Sequence, residues 1–395
     1  MKLCFITKNR FYLDENTLIS NGLLWYEEAG ILGFKFEEID KLILIGFKVD
    51  EKFDGYVYGK GTKDGIFIIG PKFREEKRYI LDRLINIFLT LKEIWKNRKI
   101  LKDVDLVFAP FFEYVVFEFL LLKLICKKAK FVVYIIGDYP ERNYKKKKNL
   151  VFKAFLILSQ WLSIKLSSEA WFISEYLLRK YGDKKSLVIR SSSIKEENIR
   201  NTVKSLIPSF VLVFVGRIEQ DKNPLLLPEI FKKIREKALN VKLKIVGDGP
   251  LKEKLIEKIN QLNLEKEVEF CGWIKDRKKL FEILDESHIL ILPSIAGEGT
   301  PLVFFEAFSR GLPIISTNFP GAEEVVENEI NGYLIDYSND EEIVNQFVEK
   351  IEYLIKNPNF YEEISKNNIE KAKEWTMEKF LKIQRERILK LVYGG

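Results

Sequence analysis

Residues 288–317, HILILPSIAGEGTPLVFFEAFSRGLPIIST, read as a strand, a Gly-rich loop, an apolar helix and a second strand. HILILP and PIIST are short apolar runs of strand length, and PLVFFEAFSRG has the length and composition of a buried helix. Thr300 suits the cap of that helix and Pro301 its first turn. Such a helix start offers free backbone N–H groups and a positive dipole end, a ready anion site. Two carboxylates, Glu298 in the loop and Glu306 in the helix, stand eight positions apart. Donors for a diphosphate beside acceptors for sugar and ribose hydroxyls are what a sugar nucleotide requires. The plainer reading is a capped core helix with one solvated glutamate.

Outward from this stretch the C-terminal half keeps one beat. VLVFVG (211–216) reads as a buried strand, followed by a polar loop and the helix NPLLLPEIFKKIREKA, with Pro224 near its first turn. VKLKIVG, the turn DGP and the helix LKEKLIEKINQLN come next, then VEFCGW, the helix RKKLFEILDES, the 288–317 segment and a short YLID. Strands alternating with helices, with β-branched apolar cores, predict a doubly wound parallel sheet. Beyond 340 the chain reads as three helices.

The N-terminal half is also α/β. MKLCFIT, KLILIGF, IFIIG, LVFAP, FVVYIIG and SLVIRSS are strand candidates, and helices are expected near 74–98, 112–127 and 149–166. Between the halves, SSSIKEENIRNTVKSLIPS is polar and without a clean apolar period, so 196–209 is read as a linker between domains at 1–195 and 210–375. No sequence repeat joins the halves.

Bulk properties agree with two domains, because 395 residues exceed one ordinary core. A hydrophobic share of 47% suits a buried core, and no low-complexity tract argues for disorder. The three cysteines, at 4, 126 and 271, are too few and too scattered for a disulfide framework or a zinc site, so they are read as reduced packing residues of a cytoplasmic protein. The N-terminus lacks signal-peptide architecture, and no run reaches the roughly 18 apolar residues of a spanning helix. A net charge of +7 allows an anionic ligand or surface without implying nucleic acid, which is not expected as a partner.

Ligands of open α/β sheets gather at the carboxyl ends of strands. After VLVFV, the loop GRIEQDKN begins at Gly216 and places Arg217 and Lys222 where two cations can meet a phosphate pair. GDGP at 247–250 is a turn that a ligand backbone can approach. In TNFPGAEEVV, Glu324 favours a helix start without any ligand.

The ordered set GRIEQDK, KIVGDGP, VEFCGW, ILPSIAGEGTPLVFFEAFSRGLPIIST and NGYLID is similar to the retaining glycosyltransferases of family 4, whose fold is GT-B. There an E-x7-E element marks the donor site. The likeness spans about 170 residues, 210–375. It implies two Rossmann-like doubly wound domains facing across a cleft, with helix 376–395 packing back on the first. It also implies residue roles. Gly216, Arg217 and Lys222 would meet the donor diphosphate, and Glu298 the transferred sugar. The segment Gly299, Thr300, Pro301 and Leu302 would hold sugar hydroxyls and phosphate through its backbone N–H groups, Pro301 itself having none. Glu306 would accept from the ribose hydroxyls, and the loop to Trp273 and Ile274 would touch the base. The resemblance further implies catalysis without a metal or other cofactor, retention at the anomeric carbon, and a front-face displacement in which the leaving diphosphate helps take the acceptor proton.

The N-terminal half departs from that family. Its Gly-Gly pair falls nearest Asn21-Gly22, so Gly22 is the donor-side candidate. Its histidine after the fifth strand falls near Asp138, which is read as a contact for donor sugar or acceptor. The single histidine, His288, is read as a packed strand residue. The DVD at 103–105 precedes its strand and is read as a turn. ERNYKKKKNLVFKAFLILSQWLSIK (141–165) sets Lys145–Lys148 beside an apolar helix, a pattern that suits an anionic membrane surface.

These readings converge on a retaining glycosyltransferase. It would use a UDP- or GDP-linked sugar and a glycan or lipid-linked acceptor in cell-surface polysaccharide or glycoconjugate synthesis, in the cytoplasm or peripherally on the inner face of the membrane. The alternatives are a catalytically silent sugar-nucleotide-binding partner subunit and a sugar-nucleotide epimerase of the same fold. A dinucleotide oxidoreductase would need G-x-G-x-x-G after the first strand, and ITKNRFYLDEN lacks it.

Overall fold

A computed structural model describes residues 1–13, 18–20, 34, 38–50, 56–58, 66–72, 79–141, 149–205, 210–295, 299–336 and 338–394. The chain forms two compact units, Met1–Arg190 with Phe380–Gly395, and Ser191–Lys379.

The first unit is built on strands β1 (Lys2–Leu13), β2 (Leu18–Ser20), β3 (Lys41–Lys48), β4 (Tyr56–Tyr58), β5 (Ile66–Ile69), β6 (Leu106–Pro110), β7 (Lys130–Ile135), β8 (Glu169–Phe172) and β9 (Ser186–Val188). Seven run parallel in the order β5-β3-β1-β6-β7-β8-β9. The short β2 and β4 add antiparallel pairing along the far end of β1. β1 outruns the expected MKLCFIT because Lys8–Arg10 hides its continuation from an apolar pattern; the register shifts between Ile6 and Arg10. β6 to β8 are nearly continuous apolar runs, buried on both faces as a sheet covered by helices requires. Their core centres on Phe108, whose ring lies 5.4 Å from Phe5 and 5.6 Å from Trp171.

The helix Met377–Tyr393 supplies Ile388 to this core. Its Arg387 donates to both oxygens of the buried Glu169, one contact being 3.0 Å. Trp171 Nε1 donates to the same carboxylate at 3.0 Å. Asp103 of the DVD turn pairs with Lys2 and Lys41 at 2.8 and 2.9 Å, and these contacts hold its carboxyl at about 2. The turn pins the amino ends of the strands, away from the ligand end.

The second unit carries β10 (Phe210–Val215), β11 (Val241–Val246), β12 (Val268–Gly272), β13 (Ile289–Leu292), β14 (Ile314–Thr317) and β15 (Gly332–Ile335). All pairs are parallel, in the order β12-β11-β10-β13-β14-β15. The order reverses between β10 and β13, which is where such a sheet opens a ligand crevice.

The described part of 196–209 is not a free linker; it lies on the second unit. Ile194 is wholly buried in that core. The ammonium of the buried Lys204 donates to the carbonyls of Leu284, at 2.9 Å, Asp285, at 2.6 Å, and Ser287, closing the end of the helix Arg277–Glu286. Burial pushes this lysine down to about 7. A polar sequence concealed the contact, because its partners are carbonyl oxygens some 80 residues away.

Candidate active site

Four loops meet at the carboxyl ends of β10 to β13, and backbone hydrogen bonds lock them together. Gly216 N donates to Val246 O at 3.0 Å, Ile218 N to Asp248 O at 2.9 Å, and Gly247 N to Gly272 O at 2.8 Å. Across the switch point, the carbonyl of Asp221 accepts from Ile295 N and from Ser294 Oγ, both at 2.9 Å. Gly247 has φ +141°, and a Cβ there would stand 1.9 Å from the Gly216 carbonyl oxygen. The GDGP turn is therefore a tight seam under the Gly216 loop as well as an open surface.

Arg217 and Lys222 lie at the two ends of that loop. The half-exposed guanidinium of Arg217 is held by Glu219 at 2.9 Å and Asp221 at 3.1 Å. Lys222 is 7% exposed, in a short 3-10 turn, with its Cε packed near Gly216. A buried lysine at a switch point places a charge where solvent screens it little.

The helix after β13 spans Leu302–Ser309, one step later than expected. Pro301, with φ −64° and ψ 127°, is extended and occupies the cap position, so it is not in the first turn. No side chain caps the helix, so Thr300 does not fill that role. The Thr300 hydroxyl is instead buried without a hydrogen-bond partner among the described residues. Gly299 precedes it and Leu302 opens the helix two residues on, and the first N–H groups of a helix have no intrahelical acceptor. An uncapped helix start thus stands next to an orphaned hydroxyl.

Glu306 is buried one turn further on, and its Oε1 takes 2.7 Å from Arg277 Nη2. Its second oxygen has no hydrogen bond among the described residues. Arg277 opens the helix Arg277–Glu286, capped by Asp276, which accepts from Lys278 N at 2.9 Å. The sequence reading missed Arg277. The signal was there, since it follows a strand end as Arg217 does. Between them, Trp273 stands 67% exposed just after β12, with Ile274 half-buried behind it. Glu298 and Gly22 fall outside the described residues.

Asp138 corrects an expectation. Its buried carboxylate accepts from Lys180 Nζ at 2.7 Å, Tyr181 OH at 2.8 Å, Tyr176 OH at 3.2 Å and Glu141 N at 3.2 Å. Four bonds fill its lone pairs, so it ties the helix Glu175–Tyr181 to the end of β7 and has none left for a substrate. His288 is a packing residue at the amino end of β13. Its Nδ1 accepts from Val211 N at 3.1 Å, and burial beside Lys204 holds it down at about 4.

The first unit has its own hollow, a cavity of about 410 Å³ at the carboxyl ends of β1 and β3, lined by Lys8, Gly46, Arg83, Tyr114 and Glu118 among others. Glu113 pairs with Lys8 and, at 3.9 Å, with Arg83. Burial raises Glu118 to about 8, and its Oε2 has no partner among the described residues. A larger hollow of about 830 Å³ on the flank of the second unit is walled by surface charges such as the Lys258–Glu229 pair, and none of the residues discussed above as ligand contacts lines it. Among the described residues, no group of three His, Cys, Asp or Glu is placed to hold a metal.

Residues 195–371 match the family model of glycosyl transferases group 1. An uncharacterized glycosyltransferase of Methanocaldococcus jannaschii is 29% identical over 301 residues, which cover 71% of this chain and 70% of that one. The UDP-Gal:alpha-D-GlcNAc-diphosphoundecaprenol alpha-1,3-galactosyltransferase of Escherichia coli is 39% identical over 145 residues, 35% of this chain and 36% of its own length. The crystal structure of Anabaena HepE in complex with UDP and glucose superposes with a TM-score of 0.68 at 16% identity, covering 98% of this chain and 99% of that one. Two parallel-sheet α/β units of this kind are the GT-B fold. The likeness to glycosyl transferases group 1 spans nearly all of the second unit, and these comparisons support glycosyltransferase activity.

Proposed function

We propose that this protein moves a sugar from a UDP-linked donor to a glycan or lipid-linked acceptor in the synthesis of a cell-surface polysaccharide. The observation that carries it is the convergence of Lys222, the uncapped helix start with the orphaned Thr300 hydroxyl, and the buried Glu306 at one switch point. UDP is favoured over GDP because the HepE structure holds UDP and the E. coli relative is named for UDP-Gal. The ribose hydroxyls donate to Glu306, whose orientation Arg277 holds. The base lies on Trp273. The diphosphate meets Lys222, Arg217 and the N–H groups after Thr300. Glu298 serves the transferred sugar, and the cavity at Glu118 takes the acceptor.

The reaction in this reading retains anomeric configuration. As the bond from the anomeric carbon to the diphosphate breaks, charge grows on the leaving oxygen, and the cations and dipole stabilise it. The acceptor hydroxyl attacks from the same face, and its proton passes to the departing diphosphate. No metal is required, so transfer proceeds undiminished in excess EDTA. Activity lost with chelator and restored by Mg²⁺ or Mn²⁺ would remove this part of the reading.

Calorimetric titration with UDP tests the donor site. Glu306→Ala removes charge-assisted hydrogen bonds worth roughly 1.5–3 kcal/mol, so affinity falls at least about tenfold in a folded variant. Equal affinity in wild type and variant would take Glu306 out of the site.

A further inference from the structure

Three helices of the first unit, Tyr79–Lys96, Val115–Ile125 and Leu150–Leu166, lie side by side with the middle one touching both others. Each turns a stripe of large apolar side chains to solvent at helical spacing. Phe88 and Trp95 are seven apart, Leu120 and Leu124 four, Leu158 and Trp161 three. Phe88 is 67% exposed, Leu124 70% and Trp161 51%. The middle helix has no charge to offset this. Of its two charged residues, Glu118 is buried and Lys123 folds its ammonium over the Phe131 ring at 4.2 Å. Three adjacent helices thus expose large apolar side chains on one another's flanks, and clustered exposed apolar residues of this kind mark interaction surfaces.

Exposed lysines border it: Lys92 and Lys96 on the first helix, Lys127 and Lys128 beyond the second. The third helix contains no acidic residue. The geometry points to this three-helix face as a docking surface for an anionic lipid bilayer. The apolar stripes enter the boundary between headgroups and acyl chains, where tryptophan is favoured, and the lysines reach headgroup phosphates. A second copy fits worse, because a two-fold contact through this face would set lysine rims against each other. No helix of the described residues is long and apolar enough to cross a membrane, so the contact is peripheral. The inference rests on the lipid-linked acceptor proposed above. It extends the expectation for 141–165, whose Lys145–Lys148 run lies outside the described residues, to a surface spanning three helices.

Flotation with phosphatidylglycerol-containing vesicles and with pure phosphatidylcholine vesicles, at low and high salt, tests it without any acceptor. Wild type floats with the anionic vesicles at low salt and less at high salt. The triple variant Phe88→Ser, Leu124→Ser, Trp161→Ser lowers that partition at least about tenfold and keeps wild-type UDP affinity. The single variants, each at an exposed position, give intermediate losses and serve if the triple variant does not fold. Absence of wild-type flotation at low salt overturns the inference, as does flotation that the substitutions leave unchanged. So does a wild-type dimer, seen by ultracentrifugation, that the substitutions dissolve. Lost flotation with intact UDP binding leaves the transferase reading standing, and lost UDP binding by wild type overturns that reading alone.

Discussion

Lys222→Ala lowers turnover of the sugar nucleotide by about 100-fold or more, while affinity for the nucleoside portion changes far less. The lysine is buried at the end of the β10 loop, beside Gly216, and that loop is bonded through Asp221 to the β13 loop. In the proposed donor site its charge is thus fixed before substrate arrives and needs no reorganisation during reaction. The diphosphate gains negative charge as the glycosidic bond breaks, so the contact is stronger in the transition state than in the ground state. Arg217→Ala acts in the same sense. Its guanidinium is half-exposed and shared with Glu219 and Asp221, so the loss is smaller. Product UDP, followed in steady state with donor saturating, measures both. Near-wild-type turnover in Lys222→Ala would place the diphosphate elsewhere, and a wild type that binds UDP without turning over donor would favour a silent binding subunit.

Gly247→Ala is the most damaging single methyl this chain can receive at the site. The added Cβ would meet the Gly216 carbonyl oxygen at 1.9 Å, at a φ of +141° that side-chain-bearing residues seldom adopt. The added Cβ is fixed by the backbone and the atom it meets is a backbone oxygen, so no rotamer relieves the clash, and β10 and β11 must separate where the Gly216 loop begins. A cost of about 4 kcal/mol is appropriate to such a conflict, and a drop of roughly 10 °C in the melting of a unit this size follows. Gly137→Ala is the comparison, since a Cβ there meets nothing within 4 Å. Differential scanning calorimetry on both variants decides the matter. A Gly247→Ala protein that melts with wild type would show that the seam is not tight.

The alternation of apolar strands with helices was legible because a buried parallel strand must be apolar along its whole length. β10, β11, β13 and β14 stand where those runs predicted them. The charged far half of β1 and the short β2 and β4 were not legible, because an edge region need not be apolar to pair. The helix at Leu302 was legible as a helix, but its first residue was not. Threonine and proline in that order fit a cap and first turn as well as they fit an extended approach.

The sequence by itself determined which polar and charged groups stand at the carboxyl ends of the second unit's strands: Arg217, Lys222, the segment at Thr300, and Glu306. Strand ends are set by local apolar runs, and loops inherit their position from them. Only the tertiary structure decided which groups remain available to a ligand. In the sequence Asp138, a carboxylate after a strand, was read as a ligand contact like Glu306 in its helix. In the fold it is saturated by Lys180, Tyr176, Tyr181 and the Glu141 amide, whereas Glu306 keeps one oxygen open and is steadied by Arg277. A carboxylate's function depends on how many of its lone pairs the protein has already filled. Most of the partners that fill them lie dozens of residues away in the chain, where periodicity and spacing carry no information about contact.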